Sequence, residues 1–310
     1  MSNDKPKVFW AGAGIVWRRQ RVLWLVFAVS LFLSYIGVRG LVARVRPALD
    51  HSSDAAPRLY HHFDVSAIAE LTSLPEQPLT VTSPPYMLTS LLFAIFMLFA
   101  TGGVLAAYRR DENLSMAEFF GACGDHFWRF LRLLVYFAIA FIPVATLASI
   151  CGAAYNHMDD VSVSPLSAVY FAIAATVVVV FFAISIRLWF DMAQVIAVAE
   201  GERRMHKALR QAAGLVRRNF GSLFWLYLRI SLVGTFFFGM GLYWWMIHLR
   251  PESTGKAFLL SQLIILVWIG TRLWQRASET AWYGENQAAV REPAPPAPVS
   301  SHAPELVAMN

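Results

Sequence analysis

Imidazoles and carboxylates gather in one stretch, where Asp50, His51, Asp54, His61, His62 and Asp64 lie close together. Such side chains are the ordinary ligands of zinc and related ions. Their spacing matches no rigid site, and the stretch reads as a solvated loop, so no metal is expected. Asp159 and Asp160 are adjacent, with His157 nearby. Adjacent carboxylates point in different directions in most backbones, so this is a polar turn and not an acid–base pair. No P-loop, GxSxG, HExxH or CxxC pattern is present. The sequence therefore predicts no catalytic residue, no cofactor and no enzyme activity. What remains is positive charge. Arg203, Arg204, Lys207, Arg210, Arg217 and Arg218 crowd one segment, with Arg129 and Arg132 in another. Their chemistry suits the phosphates of anionic lipid or an acidic protein surface. Nucleic acid is not expected as a partner.

These cations need elements to hold them. The chain has 310 residues, of which 57% are hydrophobic and only 15% charged, with a mean hydropathy of +0.50. Soluble domains run at about 45–50% apolar and about 25% charged. A bilayer core of ~30 Å takes about 20 apolar residues as a helix. Six runs qualify: 22–43, 86–107, 133–153, 166–190, 223–247 and 257–274, and none contains Asp or Glu. Too little polar sequence is left to cover six such helices in water. The fold class is therefore all-α, a polytopic helix bundle with six transmembrane helices. The first run follows Arg18, Arg19 and Arg21, but its lead is long and no small-x-small site follows, so it reads as an uncleaved anchor.

Cations near span ends stay in the cytoplasm. With the N-terminus inside, segments 1–21, 108–132, 187–222 and 272–310 hold 19 of the 26 Lys and Arg, and the outer loops hold 5. Both termini are thus expected to be cytoplasmic. Trp10, Trp17, Trp189, Trp244, Trp245 and Trp274 cluster near span ends as an aromatic belt. Cys123 and Cys151 fall on opposite sides, so no disulfide is expected.

In 108–132, Met116, Phe119, Phe120, Cys123 and Phe127 fall at helical steps, and in 191–222 Met205, Ala208, Leu209, Ala212 and Val216 do the same. Both read as amphipathic cytoplasmic helices. Two placements are open for the second: flat in the headgroup plane, apolar side down, or packed on the ends of its own bundle. The two stripes coincide at an offset of 89 residues, which also brings Arg129 onto Arg218 and suggests a 2+2 pseudo-repeat. Arg229 and Arg39 lie near span ends and can snorkel. Arg187 and Asp191 are one turn apart and read as an interfacial pair worth ~0.2–0.5 kcal/mol. Pro143 is expected to break the third span, and Gly102-Gly103 to loosen the second. Ala145, Ser149 and Ala153 suggest a small-residue contact ridge. The outer loop spans 44–85. The Pro/Ala-rich tail, 275–310, is expected to be largely disordered.

Gln211-Ala212-Ala213-Gly214 invites comparison with the coupling loops of importer permeases, but the glycine follows at once and no Leu-Pro appears downstream. The unit RLWFDMAQVIAVAE, followed by RRMHKALRQAAGLVRRNFGSLFWLYL, resembles bacterial six-span proteins grouped around the membrane domain found beside glycerophosphodiester phosphodiesterases. The likeness covers about residues 86–250. It implies an architecture and a bacterial inner membrane, not an activity, because nothing here matches the soluble phosphodiesterase. The expected function is a non-enzymatic membrane component that organises lipids or a protein partner through its basic cytoplasmic helices. The alternative is a small-molecule or lipid transporter, which predicts a cavity near mid-membrane between the third and fifth spans.

Overall fold

In hydrocarbon a backbone must satisfy its own hydrogen bonds, and for runs of this length the helix is how it does so. A computed structural model of the chain describes residues 5–51, 84–110, 114–161, 165–248 and 253–291. These residues form seven helices: α1 (Lys5–Arg18), α2 (Gln20–His51), α3 (Pro84–Arg109), α4 (Met116–Val161), α5 (Pro165–Glu200), α6 (Met205–His248) and α7 (Thr254–Arg291). Among the described residues, six helices, α2 to α7, are long and apolar enough to cross a bilayer. The protein is all-helical and multi-pass.

The helices overrun the bilayer. The 46 residues of α4 extend ~69 Å, about twice the hydrocarbon thickness. Its amphipathic first part and its span are one continuous rod, while in α6 the two parts, 44 residues together, meet at a kink at Asn219. The two rods begin at Met116 and Met205, 89 residues apart, the offset of the sequence repeat. Ser115 and Glu118 start α4 as a capping box. The Ser115 N–H and hydroxyl donate to Glu118 Oε2 at 2.8 and 2.7 Å, and the Glu118 N–H donates to Ser115 Oγ at 3.3 Å.

Neighbours in sequence are neighbours in space: α2 on α3, α3 on α4, α4 on α5, α5 on α6 and α6 on α7. α7 closes the arrangement by touching α1, α2, α3, α5 and α6. Packing is concentrated at one end, here the basic end. Val8, Tyr108, Phe130, Met192, Ala212 and Tyr283 are all buried there. The opposite halves bury little, and the most apolar window of α5 buries none of its residues. Large apolar side chains such as Phe32, Leu91, Ile139, Val177, Phe236 and Leu259 face outward on those halves, as lipid-facing residues should.

Several sequence expectations change. Pro143 does not break its helix, since α4 continues on both sides of it. A proline in a span loses only one main-chain donor, and neighbouring groups can compensate. The irregular residue is Asn219 in α6, with φ −120° and ψ 23°. Gly103 does not loosen α3; it lets α4 come close. A Cβ there would lie 2.5 Å from Cys123 Sγ and 2.9 Å from the Phe119 carbonyl oxygen. Ala145, Ser149 and Ala153 are exposed, whereas Val144 of α4 and Ala168 of α5 are buried. The last helix does not stop at 274: it runs on to Arg291, and Gln275, Ala277, Ser278, Glu279, Trp282 and Tyr283 are buried. α1 packs along this extension, with Trp274 Nε1 donating to the Phe9 carbonyl at 2.8 Å. Asp159 and Asp160 fall within α4 rather than in a turn, and His51 closes α2. Asp50 also lies in α2, whereas Asp54, His61, His62 and Asp64 lie outside the described residues.

Candidate functional site

Two groups of charged side chains stand at the basic end, one outside the bundle and one inside it.

The outer group is the one legible in the sequence. Met205, Ala208, Leu209, Ala212 and Val216 are all buried. The apolar stripe of α6 is therefore consumed by the protein itself and does not lie down on lipid. Trp189 of α5 fastens it, donating from Nε1 to the Leu209 carbonyl at 2.8 Å. With one face buried, the other must point out. Arg203, Arg204, Lys207, Arg210, Arg217 and Arg218 are exposed, as is Arg132 of α4, while Arg129 is half-buried. Lys207 is not a free charge, because its ammonium donates to Glu202 Oε2 at 2.7 Å. That bond, with a second from the Arg204 N–H, holds the Glu202 carboxyl below the ordinary carboxylate range.

In α4 the stripe divides. Phe119 and Cys123 are buried against α3, whereas Met116 and Phe120 are largely exposed. α1 has the same division. Val8 packs inward, and Trp10 and Trp17, seven residues apart, are 67% and 79% exposed. Together with exposed Trp128, they give the basic end a rim of indoles beside guanidiniums, the composition favoured at a membrane–water boundary.

The inner group was missed. The i,i+4 pair of Arg187 with Asp191 is present as expected, but the Asp191 side chain is only 7% exposed and is shared with a second helix. Arg187 lies 3.5 Å from Oδ2, and Arg276 of α7 lies 2.9 Å from Oδ1. Arg276 is also 3.8 Å from the buried carboxylate of Glu279. Arg272, one turn earlier on α7, stacks on Trp268 at 4.9 Å and has no carboxylate within 4 Å among the described residues. Arg187 stands over the Tyr227 ring at 5.8 Å. Three guanidiniums thus share the interior with two carboxylates.

A polar stripe betrays this group in retrospect. Arg272, Gln275, Arg276 and Glu279 fall at i, i+3, i+4 and i+7 of a helix. Ending the span at Trp274 hid that periodicity, since residues beyond it counted as solvated tail.

Cavities adjoin these arginines. One of about 400 Å³ lies among α4, α5, α6 and α7, with Phe137, Ala183, Tyr227, Gly234, Thr271 and Arg272 in its walls. It lies between the third and fifth spans and reaches from Arg272 to Gly234. Another, of about 330 Å³, lies nearer the helix ends beside Arg109, Tyr283 and Gln287. There the Tyr283 hydroxyl donates to Glu200 at 2.8 Å, and Arg109 donates to the Val198 carbonyl at 3.0 Å, tying α7 and α3 to the end of α5.

The long apolar helices define a multi-pass membrane protein. Comparison with protein families, with characterised proteins and with solved structures returned no match.

Proposed function

We propose that this chain is a non-enzymatic component of a bacterial inner membrane that gathers anionic lipid, or an acidic protein partner, at its cytoplasmic face. The observation that carries this reading is the fully buried stripe of α6 beneath exposed Arg203, Arg204 and Arg210. Arg210 stands on the helix with the buried face, and Arg203 and Arg204 lie in the short link that enters it, so that frame lowers the ordering cost of binding. Each Lys or Arg near an anionic leaflet contributes about 1 kcal/mol, so three exposed arginines supply about 3 kcal/mol. The exposed indoles of α1 and α4 support the same placement at the headgroup level. The cytoplasmic side follows from the excess of Lys and Arg in the segments on that side of the spans.

The test is lipid enrichment around the full chain in nanodiscs of mixed phosphatidylglycerol and phosphatidylcholine. The parent should enrich phosphatidylglycerol in a salt-sensitive way, and the triple variant Arg203→Glu, Arg204→Glu, Arg210→Glu should lose that enrichment and the capture of any acidic partner. Equal behaviour of the two proteins in both assays refutes the reading.

A second reading, a small-molecule or lipid transporter, is favoured by the cavity among α4, α5, α6 and α7. Its test is flux across liposomes, with Ala183→Leu as the blocked variant.

A further inference from the structure

Three cavities converge on one side chain. Arg187 lines the cavity among α4 to α7, a second of about 410 Å³ reaching from α2 and α3 to α7, and a third of about 300 Å³ between α3, α4 and α5. Arg272 lines the two larger ones, and Arg276 adds to the second. Neither larger cavity has an Asp or Glu in its wall. Glu279 lies outside all three, and Asp191 borders only the smallest. The carboxylates are drawn to one side by Arg187 and Arg276, and Arg272, hydrogen-bonded to Tyr227, borders the space with no carboxylate within 4 Å among the described residues.

We propose that this arginine-lined chamber binds the phosphate headgroup of one anionic membrane amphiphile, whose tail runs along the apolar wall toward the bilayer centre. Guanidinium forks suit phosphate because two parallel N–H donors meet two oxygens. The depth is right for a headgroup: Arg187 lies ~33 Å and Arg272 ~27 Å along their helices from Pro165 and Thr254, close to the boundary of a ~30 Å core. Away from the arginines the walls turn apolar, through Phe141 in the first cavity and Phe93, Ala94 and Met97 in the second. The volumes fall in the range of small-molecule sites, about 300–1,000 Å³. Gln275 places a carboxamide in the wall of the first cavity and Gln194 another in the second, each within the same polar band. This site is separate from the exposed cations of α6 and stands or falls without them.

The experiment uses the full chain in neutral detergent, titrated with phosphatidylglycerol, with phosphatidylcholine of the same acyl chains, and with inorganic phosphate, bound lipid being counted by native mass spectrometry. Titrations are run at ~0.1 M and ~1 M salt, because a Debye length of ~3 Å removes surface association but leaves a buried pair nearly intact. The expected result is one phosphatidylglycerol retained at ~1 M salt, with no phosphatidylcholine. Arg272→Gln should bind it at least about tenfold more weakly, and Arg272→Lys should recover part of the loss. Neutralising Arg203, Arg204, Lys207 and Arg210 together should leave this lipid in place while abolishing the salt-sensitive enrichment, so the chamber and the outer surface can fail separately. A measurement without those variants covers the case where Arg272→Gln does not fold. Phosphatidylglycerol with brominated chains should quench Trp268 emission, read as the difference between the parent and Trp268→Phe. Equal retention of the two lipids at ~1 M salt, unchanged affinity in a folded Arg272→Gln, or absence of Trp268 quenching overturns the proposal. Displacement of the lipid by millimolar inorganic phosphate overturns the amphiphile and leaves a free-anion site.

Discussion

Replacing Asp191 by Asn keeps the size of the side chain and removes one charge from the interior. The Arg276 guanidinium is 2.9 Å from Asp191 Oδ1, and Arg187 is 3.5 Å from Oδ2. At an effective dielectric constant of about 20, the first contact alone is an attraction of about 6 kcal/mol. Desolvation of both groups offsets much of it, because the two side chains are only 7% and 19% exposed. Without Asp191, three guanidiniums face Glu279 alone, and Glu279 is 3.8 Å from the nearest of them. Breaking a buried pair on one side costs about 3–5 kcal/mol, whereas replacing both members by neutral groups is often close to neutral. Asp191→Asn should therefore destabilise the full chain by about 3–5 kcal/mol in equilibrium unfolding from mixed micelles, and Arg276→Gln by a similar amount. The double variant should recover at least about 2 kcal/mol relative to the sum of the two. A loss below about 1 kcal/mol for Asp191→Asn, or strict additivity in the double variant, would show that the cluster is hydrated and that its charges do not depend on one another.

Gly12→Leu should release α1 from α7, because a Cβ at Gly12 would lie 2.0 Å from Ser278 Oγ and 2.8 Å from the Ser278 main-chain nitrogen; faster amide exchange over 5–18 is the readout. Gly103→Ala should cost about 1–3 kcal/mol by overpacking against Phe119 and Cys123, measured by thermal melting. The Cys123 thiol is fully buried and should resist maleimides from either side of the membrane until the chain unfolds, while half-buried Cys151 labels first. Glu202 is held below its ordinary pKa, so its bonds to Lys207 and the Arg204 N–H are complete above the unfolded value near ~4.3 and are lost as pH falls through the lower folded value. Proteolytic nicking between 200 and 205 should rise in that acid window, and Glu202→Gln should nick alike across it.

The spans were legible because their signal is additive: twenty apolar residues outweigh any local irregularity. The stripe of α6 was equally legible as a face, but its destination was not. The sequence left open whether Ala208 and Ala212 meet lipid or protein, and small side chains such as these pack well against another helix. Cys123 shows the same limit. Its place on the stripe could be read from spacing, but its complete burial depends on Gly103 of α3, twenty residues away. Asp191 was misjudged for a related reason. Its i−4 neighbour, Arg187, was visible, but its closer partner, Arg276, comes from another helix. A pair across helices leaves no periodic trace. The interior arginines of α7 were the largest omission. Hydropathy assigns them to water, and only the three-dimensional crossing of α5 and α7 takes them out of it.

The contact between α1 and α7 has a consequence in time. Phe9 accepts a hydrogen bond from Trp274, 265 residues later in the chain. At ~5–20 residues per second, the first helix to be made waits roughly 15–50 s for the surface it packs on. During that interval α1 has only its smaller contacts with α2 and α6, and a nascent chain halted before Thr254 would leave its α7-facing side uncovered. The packing of α1 on α7 is thus one of the last contacts that synthesis of these helices permits.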